Sequence, residues 1–369
     1  MKIVFLHEKN NITTNFSMVP FYLWGLENDK FDIRFCVDYQ NIDSFNGDLL
    51  VIVRRYELDD LSNEFVSQEI EFFYKCFRKI IYFDDSAALS KINWFIANRV
   101  DLYCKRGLLK DRNIYKRSLY GGRLFSDFYH TKFNVIDDVE NNSHPDYTNK
   151  YDWDKIEIAW NIGVGMYITS QGFLSSKFSD FIKKGSKYYS QFFNSNINKV
   201  LAKKNIDKII NKLSLEVENK NNHRIMARIT SNGYSNTVGF QRLLIKDKLI
   251  RRGIDSSKIS FSKYLDEVNK SSVFISPFGW GEICFRDFEA LLFGKILIKP
   301  NCNHIETWPN IYEDDMYIPI NWDLSDIDYA IEKAKELQSL KVLNKARLNY
   351  KISLKQVSER VDNILKKVL

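Results

Sequence analysis

The chain has 369 residues, of which 44% are hydrophobic, 27% charged and 15% aromatic. This composition excludes a disordered, collagen-like or coiled-coil protein and indicates a globular one. At about 100–200 residues per domain the length predicts two domains, so a cleft between them is the first place to look for a site. The formal net charge of +7 is spread along the chain and fits an anionic ligand, an anionic membrane surface or nucleic acid equally well.

Several sequence features bear on the compartment. The apolar run at residues 2–6 is followed at once by His7, Glu8 and Lys9, which is too short a run for a secretory signal. No stretch approaches the ~20 apolar residues of a membrane span. The five cysteines are odd in number and far apart, so neither a disulfide framework nor a zinc site is expected. We therefore expect a cytoplasmic protein, with peripheral contact at the inner face of the membrane as a further option.

The first half of the chain alternates strand and helix patterns. Residues 2–6 and 49–53 are continuous apolar runs of strand length, residues 31–37 alternate as a strand does, and residues 80–83 form a further strand. A helix is predicted over residues 62–79. This rhythm predicts a doubly wound α/β domain, which we assign to residues 1–215.

A helical insert near residues 173–215 interrupts that rhythm. It is rich in Lys, Asn and aromatic residues. The aromatic side chains are expected to pack on the domains, because a helix needs an apolar face for burial. The alternative is an interfacial helix on an anionic leaflet.

A second α/β unit is predicted over residues 216–345, after a polar hinge at residues 216–223. Its predicted strands are 224–229, 259–261, 272–276 and 296–298, and its predicted helices are 238–252, 264–270 and 283–293. Gly253 and Gly294 are expected to end the first and the last of these helices. The remaining chain is helical, over residues 326–338 and 343–369, and we separate residues 346–369 as a C-terminal helix.

The informative stretch is residues 276–294, where a strand ends in a glycine-rich turn and a helix follows at once. Gly279 and Gly281 let backbone N–H groups approach a ligand closely, and the helix dipole favours an anion there. Glu282 and Glu289 lie seven residues apart, so both carboxylates can project from one helical face. A carboxylate so placed can accept two hydroxyls from a ribose or hexose.

This stretch resembles the donor-binding half of GT-B fold glycosyltransferases. Those enzymes carry a Glu-x7-Glu pattern before an Ala-Leu-x-x-Gly helix end, which residues 289–294 match. Glu282 is one residue too close to take the role of the family's first Glu. The motif Pro-Phe-Gly-x-Gly-Glu, followed by Arg-Asp-Phe-Glu-Ala, resembles a subgroup of bacterial glycosyltransferases that is associated with surface polysaccharides. The resemblance covers residues 224–325 and implies two Rossmann-like domains facing a cleft, with a last helix that crosses back onto the first domain.

The resemblance also implies roles for individual residues. Glu289 would hold the ribose of a nucleotide-sugar donor, and the loop from Asn301 to Glu306, with Asn303 and His304, would lie beside the diphosphate and the sugar. The basic residues expected to neutralise phosphate are Arg228 and either Arg242 or Lys246. Arg286 is a further candidate for the donor site, or else it pairs with Asp287 or a neighbouring carboxylate. Such side chains and a helix N-terminus commonly replace a metal in this fold, so we expect no metal ion and no cofactor beyond the donor as co-substrate.

An inverting transferase needs a general base, which the first domain would supply. His7 follows the first strand at the edge where α/β sheets place ligands. Asp85 follows another strand beside Asp84, and if the two share a site of low dielectric, the pKa of one would rise. Alternatively Asp85 caps a helix. His130 lies near Arg123 in a third cluster, and the sequence does not rank the three candidates.

The sequence thus predicts an inverting, metal-independent glycosyltransferase that moves a sugar from a nucleotide-sugar donor to a growing surface glycan of lipopolysaccharide or capsule type. The expected partners are the donor and a glycan or lipid-linked glycan acceptor, with no nucleic acid. Two alternatives stay open. One is a GT-B transferase that uses CMP-Kdo or CDP-glycerol, and the other is a non-catalytic module that binds a nucleotide sugar or RNA.

Overall fold

A computed structural model describes residues 1–7, 12–36, 46–53, 63–139, 151–164, 196–217 and 224–369. Within these residues there is a six-stranded sheet, a four-stranded sheet and a two-stranded sheet. All pairings in the two larger sheets are parallel. Buried parallel sheets with helices between their strands are the arrangement of an α/β protein, as predicted.

The six-stranded sheet belongs to the N-terminal half of the chain. Its strands, in sheet order, are β2 (Asp32–Cys36), β1 (Lys2–His7), β3 (Gly47–Val53), β4 (Phe77–Asp84), β5 (Leu102–Lys105) and β7 (Ile156–Ile158). The apolar runs predicted as strands are almost fully buried, because both faces of the sheet are covered. The order of the strands reverses between β1 and β3, and ligands bind outside the carboxyl ends of the strands at such a point.

The helices of this half are α1 (Ile12–Glu27), α2 (Asn63–Cys76), α3 (Trp94–Ala97), α4 (Leu124–Phe133) and α5 (Asn196–Ser214). The helix predicted over residues 62–79 ends at Cys76. Phe77 is buried and pairs with Gly47 as the first residue of β4, so strand pairing overrides the helical periodicity there. Residues 165–195, which hold much of the predicted insert and its aromatic side chains, lie outside the described residues.

The four-stranded sheet belongs to the C-terminal half. Its strands, in sheet order, are β12 (Ile318–Ile320), β10 (Ile296–Pro300), β9 (Val273–Ile275) and β8 (Ile225–Met226). The helices around it are α6 (Asn236–Ile250), α7 (Phe261–Lys270), α8 (Phe285–Leu292) and α9 (Ile327–Lys333). Residues 218–223 of the predicted hinge lie outside the described residues.

The strand predicted over residues 259–261 is wrong. Ser260 has the extended backbone of an N-cap residue, and Phe261 is the first residue of α7. Three residues of strand-forming type are too few to outweigh the preference of Ser for the start of a helix. The predicted ends of α6 and α8 are confirmed within a few residues, since Gly253 and Gly294 both adopt a positive φ just after them.

Two helices close the chain, α10 (Gln338–Lys355) and α11 (Val357–Lys366). Helix α10 packs on α5 and on β10, whereas α11 lies against α1 of the N-terminal half. Among the described helices, none is both long enough and apolar enough to cross a bilayer.

The two-stranded sheet joins the two halves. One strand, β6 (Gly107–Leu109), comes from the N-terminal half, and the other, β11 (Ile305–Thr307), comes from the C-terminal half. Buried Asn161 reinforces the junction, because its Nδ2 donates to Thr307 Oγ1 at 3.0 Å and to the Pro309 carbonyl at 2.8 Å. We call β6, β11 and Asn161 the cross-half junction.

Candidate functional site

A cavity of about 310 Å³ lies between the six-stranded and the four-stranded sheets. The N-terminal half contributes Ala87, Leu89, Arg106, Asn161 and Ile162 to its lining. The C-terminal half contributes Tyr234, Arg242 and residues 276, 277, 279–281 and 283–286. We call this cavity the inter-sheet pocket. It lies where the glycine-rich turn of the informative stretch meets the other half of the chain.

Gly281 shows why that turn requires a glycine. A Cβ atom on Gly281 would lie 2.0 Å from the carbonyl oxygen of Ala87, so only a residue without a side chain fits against this backbone. A Cβ atom on Gly279 would meet nothing closer than the Cys284 Sγ at 3.5 Å. Of the two glycines in this turn, only Gly281 therefore makes this close approach to the backbone of the other half.

Helix α8 starts at the pocket because a buried carboxylate fixes its first turn. Asp287 is fully buried and accepts hydrogen bonds from the Cys284 amide at 2.8 Å, from Ser276 Oγ at 2.5 Å and from the Tyr312 hydroxyl at 2.7 Å. Lys299 Nζ completes its shell at 3.1 Å. Burial disfavours the ammonium, but Asp287 outweighs this and raises the pKa of Lys299. The partner of Asp287 is thus Lys299 and not Arg286.

Three guanidinium groups reach the pocket, one from the N-terminal half and two from the C-terminal half. Arg242 donates to the carbonyls of Thr230 and Phe278, both at 2.5 Å. Burial lowers the pKa of Arg242, and the positive charge of Arg286 acts in the same direction. The first turn of α8 adds amide groups that lack acceptors within the helix. This concentration of positive charge suits a ligand with more than one negative charge.

Arg106, the third guanidinium, was not singled out from the sequence. It follows β5 directly, and that position at the carboxyl edge of a parallel sheet is the signal that could have identified it. Its Nη2 lies 3.3 Å from Asp85 Oδ2 and 3.0 Å from Ser17 Oγ. No helix starts at Asp85, so the capping alternative is wrong, and this buried carboxylate faces the Arg106 side chain instead.

The pKa of Asp84 is lowered and not raised. Burial does oppose ionisation of Asp84, but the charge of Lys105 and hydrogen bonds from Lys105, Ser86 and Tyr103 outweigh it. Together they lower the pKa of Asp84 to about 2. Lys105 Nζ lies 2.7 Å from Asp84 Oδ2 and is itself fully buried.

None of the three predicted bases, Asp85, His7 and His130, lines the pocket. His7 ends β1 and is buried opposite Val53 of β3, at the point where the strand order reverses. His130 lies on α4, where its ring stacks on Tyr120 with centroids 3.7 Å apart and its Nδ1 contacts the Val135 carbonyl at 2.8 Å. The catalytic roles of His7, Asp85 and His130 stay predictions.

The two glutamates of the informative stretch lie outside the pocket lining. Glu289 Oε2 accepts a hydrogen bond from the Tyr264 hydroxyl at 2.7 Å, and burial raises the pKa of Glu289. Glu282 is 1% exposed, and within the described part of the chain its two carboxylate oxygens accept no hydrogen bond. His304 Nε2 lies 3.6 Å from Glu282 Oε1, and the His304 ring meets Trp322 edge-on.

Two predicted phosphate or sugar contacts are occupied elsewhere. Arg228 lies 2.6 Å from both Glu267 and Asp255, and these carboxylates outweigh the effect of burial and raise its pKa. Asn303 is exposed, and its Nδ2 donates to Asp314 at 3.0 Å. Neither side chain lines the pocket. Gly279, Gly281, Arg242 and Arg286 are the predicted residues that the structure brings together there.

No cluster of three or more His, Cys, Asp or Glu side chains that could hold a metal ion occurs in the described ranges. The residues that sequence reasoning missed are Arg106, Asn161, Tyr234 and Trp280, all of which line the pocket. Tyr234 and Trp280 lie within turns that the sequence did identify, but aromatic residues in turns carry no periodic signal.

No family model matches this chain, and no curated protein sequence matches it significantly. Several solved structures are similar to it at low identity. An alpha-glucosyltransferase in complex with UDP and a 13-mer DNA has 9% identity and a TM-score of 0.44, over 100% of this chain and 99% of that chain. MnaA from S. aureus with UDP has 10% identity and a TM-score of 0.43, over 99% of this chain and 96% of that chain.

Proposed function

We propose that this chain is a GT-B glycosyltransferase that moves a sugar from a nucleotide-sugar donor to a hydroxyl of a surface glycan. The observation that carries the proposal is the inter-sheet pocket, where Arg106, Arg242 and Arg286 surround one cavity beside the start of α8. A nucleoside diphosphate carries its charge on a compact group. Guanidinium groups and helix amides are suited to bind such a group.

The same charges suit the chemistry of transfer. When the bond between the sugar and the diphosphate breaks, negative charge develops on the leaving phosphate, and fixed cations stabilise that charge without reorganisation. The three guanidinium groups would supply the charge that a divalent ion provides in other transferases. We therefore propose a reaction that needs no metal ion and continues in the presence of EDTA.

Further features support the two-domain interpretation of the fold. Each half holds its own parallel sheet, and the pocket lies between the two sheets. Helix α11 lies against α1, as expected of a last helix that crosses back onto the first domain. Glu289 lies near Arg286 and accepts a hydrogen bond from the Tyr264 hydroxyl. In this proposal the ribose hydroxyls would replace the Tyr264 hydroxyl as hydrogen-bond donors to Glu289. The acceptor hydroxyl would enter from the N-terminal half.

The experiment is titration calorimetry of the purified protein with UDP, GDP, ADP, dTDP and CMP in the absence of divalent ions. We expect one nucleotide to bind. Replacing Arg286→Gln should raise the Kd of that nucleotide about tenfold or more, because a hydrogen bond to a charged group is worth about 1.5–3 kcal/mol. The matched control is Arg251→Gln, since Arg251 is an exposed arginine that pairs with Asp247 outside the pocket.

Nucleotide release from the matching nucleotide sugar, in the presence of a glycan acceptor, separates a transferase from a binding module. Binding without release would contradict the enzymatic proposal, and unchanged affinity in Arg286→Gln would contradict the assignment of the pocket. The surface-glycan acceptor, the contact with a membrane and the absence of a nucleic-acid partner stay predictions. The last of these contrasts with the DNA held by one similar structure.

A further inference from the structure

A series of neighbouring side chains extends from Glu289, beside the inter-sheet pocket, to Trp280 in its lining. At one end Glu289 accepts the Tyr264 hydroxyl at 2.7 Å, and the charge of Arg286 acts on both groups. Arg286 in turn acts electrostatically on Arg242. The series therefore begins with a carboxylate and continues with two cations.

From Arg242 the series continues through two aromatic rings. The Arg242 guanidinium lies 4.5 Å from the centroid of the Tyr234 ring, and the Tyr234 and Trp280 rings have centroids 5.2 Å apart. The Arg123 guanidinium lies 5.4 Å from the centroid of the Trp280 ring. The far end of the series is thus an indole that lies between a tyrosine ring and a guanidinium group of the N-terminal half.

Trp280 is held in place while much of its surface stays open. Arg123 Nε donates to the Trp280 carbonyl at 2.7 Å, so the same arginine fixes both the backbone and the ring. Trp280 lines the pocket, yet the residue is 47% exposed. An indole held by Arg123 and Tyr234 and left about half open at a pocket is preorganised for a further ring.

We propose that the sugar ring of the donor stacks on the Trp280 indole, and we call this position the sugar seat. The inference rests on the proposed function and adds to it the residue that recognises the transferred group. In a nucleotide sugar the ribose, the diphosphate and the sugar follow one another. The carboxylate beside the pocket, the cations that line it and the indole at the far end of the series follow one another in the same order.

The chemistry of the two surfaces agrees with this order. The C–H bonds of a pyranose form an apolar face with a slight positive charge, which complements the negative face of an aromatic ring. A nucleobase could also stack on an indole, but the base is attached to the ribose. It would therefore lie at the Glu289 end, away from Trp280.

The test compares a nucleotide with its sugar conjugate. Calorimetry with UDP and UDP-glucose, and with GDP and GDP-mannose, is carried out on the wild-type protein, on Trp280→Ala and on Trp280→Phe. For the pair whose nucleotide binds, we expect Trp280→Ala to weaken the sugar conjugate about tenfold and the nucleotide less than twofold. Trp280→Phe keeps an aromatic face and should lose less than Trp280→Ala. The control is Tyr329→Ala, an exposed aromatic residue on α9 that should change neither affinity.

The outcomes separate this inference from the proposed function. If the nucleotide and its conjugate weaken equally in Trp280→Ala, the ring serves the nucleotide, and only the sugar seat is overturned. The same holds if neither affinity changes. If no nucleotide binds to the wild-type protein, both the proposed function and the sugar seat are overturned. Thermal unfolding of each variant shows whether a loss of affinity reflects a loss of folded protein.

Discussion

Asp84 and Asp85 are neighbours in sequence, but each faces a different buried cation. Asp84 lies 2.7 Å from Lys105, and Asp85 lies 3.3 Å from Arg106. The two cations are also neighbours in sequence, at the end of β5 and just after it. Because successive residues at the end of a strand point to opposite faces, the two ion pairs stay separate, and Arg106 of the second pair lines the inter-sheet pocket.

The first prediction concerns the acid stability that Asp84 provides. A pKa lowered from 3.8 to about 2 means that the ionised carboxylate stabilises the fold at any pH above about 3.8. This contribution, about 2 kcal/mol, is lost as the pH falls from about 4 to 2. Asp84→Asn should therefore lower the unfolding free energy at pH 7 by at least this amount, since it also leaves Lys105 buried without its counter-ion.

Urea denaturation followed by tryptophan fluorescence, at pH 7 and at pH 3, measures the effect. The difference between the wild-type protein and Asp84→Asn should become smaller at pH 3. A difference that stays constant between the two pH values would contradict the assignment. Asp266→Asn is the control, because Asp266 forms an exposed ion pair with Lys270 that contributes little.

Some site residues could be predicted from the sequence and others could not. Gly279, Gly281, Arg242 and Arg286 lie in or beside a strand-turn-helix unit, whose local chemistry marks a ligand site. Arg228 is predicted from its position at the end of a strand. Its ion-pair partners, Asp255 and Glu267, lie in other parts of the second half of the sequence, so no local sequence pattern predicts the pairing.

At the scale of the element, the turn before α8 determines how the two halves meet. Gly281 lies against the backbone of Ala87, whereas Gly279 has room for a methyl group. From the sequence alone, Gly279 and Gly281 are equally able to allow a close approach of the backbone. The sequence could not indicate which one faces the other half, since that depends on long-range packing.

The second prediction compares these two glycines. Gly281→Ala should destabilise the protein by about 1–3 kcal/mol and weaken nucleotide binding, because the added methyl group pushes the turn away from Ala87. Gly279→Ala should change the unfolding midpoint little. Thermal unfolding and nucleotide titration of both variants make the comparison. Equal behaviour of the two variants would mean that the turn does not contact Ala87 in solution.

The element boundaries show where local sequence signals fail. The apolar runs of β1 and β3 are found within two residues, because a buried parallel strand leaves a continuous apolar signature. The strand predicted at residues 259–261 is absent because a short run resembles both a strand and the start of a helix. The predicted end of α2 lies beyond the observed end at Cys76, because β4 starts with Phe77, whose spacing also fits a helix.

At the scale of the molecule, the cross-half junction ties the two larger sheets together. Besides the pairing of β6 with β11, Thr307 Oγ1 donates to the Arg106 carbonyl at 2.7 Å. The backbone N–H of Asn161 donates to the Trp308 carbonyl at 2.7 Å. These bonds lie beside Arg106, which lines the inter-sheet pocket. The junction therefore connects the two halves directly beside the pocket.

The third prediction is that the two halves unfold together. Far-UV circular dichroism and tryptophan fluorescence should report one coincident transition in urea. Asn161→Ala should lower its midpoint, because it leaves buried partners such as the Pro309 carbonyl without a donor, at about 1–3 kcal/mol. Asn321→Ala, at an exposed position, is the control. Two separate transitions in the wild-type protein would contradict the prediction.

The origin of β6 and β11 in different halves has a consequence for attempts to dissect the protein. A fragment that stops at residue 217 would retain Gly107–Leu109 but lose the backbone that satisfies this strand, and a fragment that starts at residue 224 would leave Ile305–Thr307 equally exposed. Naked strand edges recruit other chains. Either fragment, expressed alone, is expected to self-associate, whereas co-expression of the two should restore a soluble heterodimer.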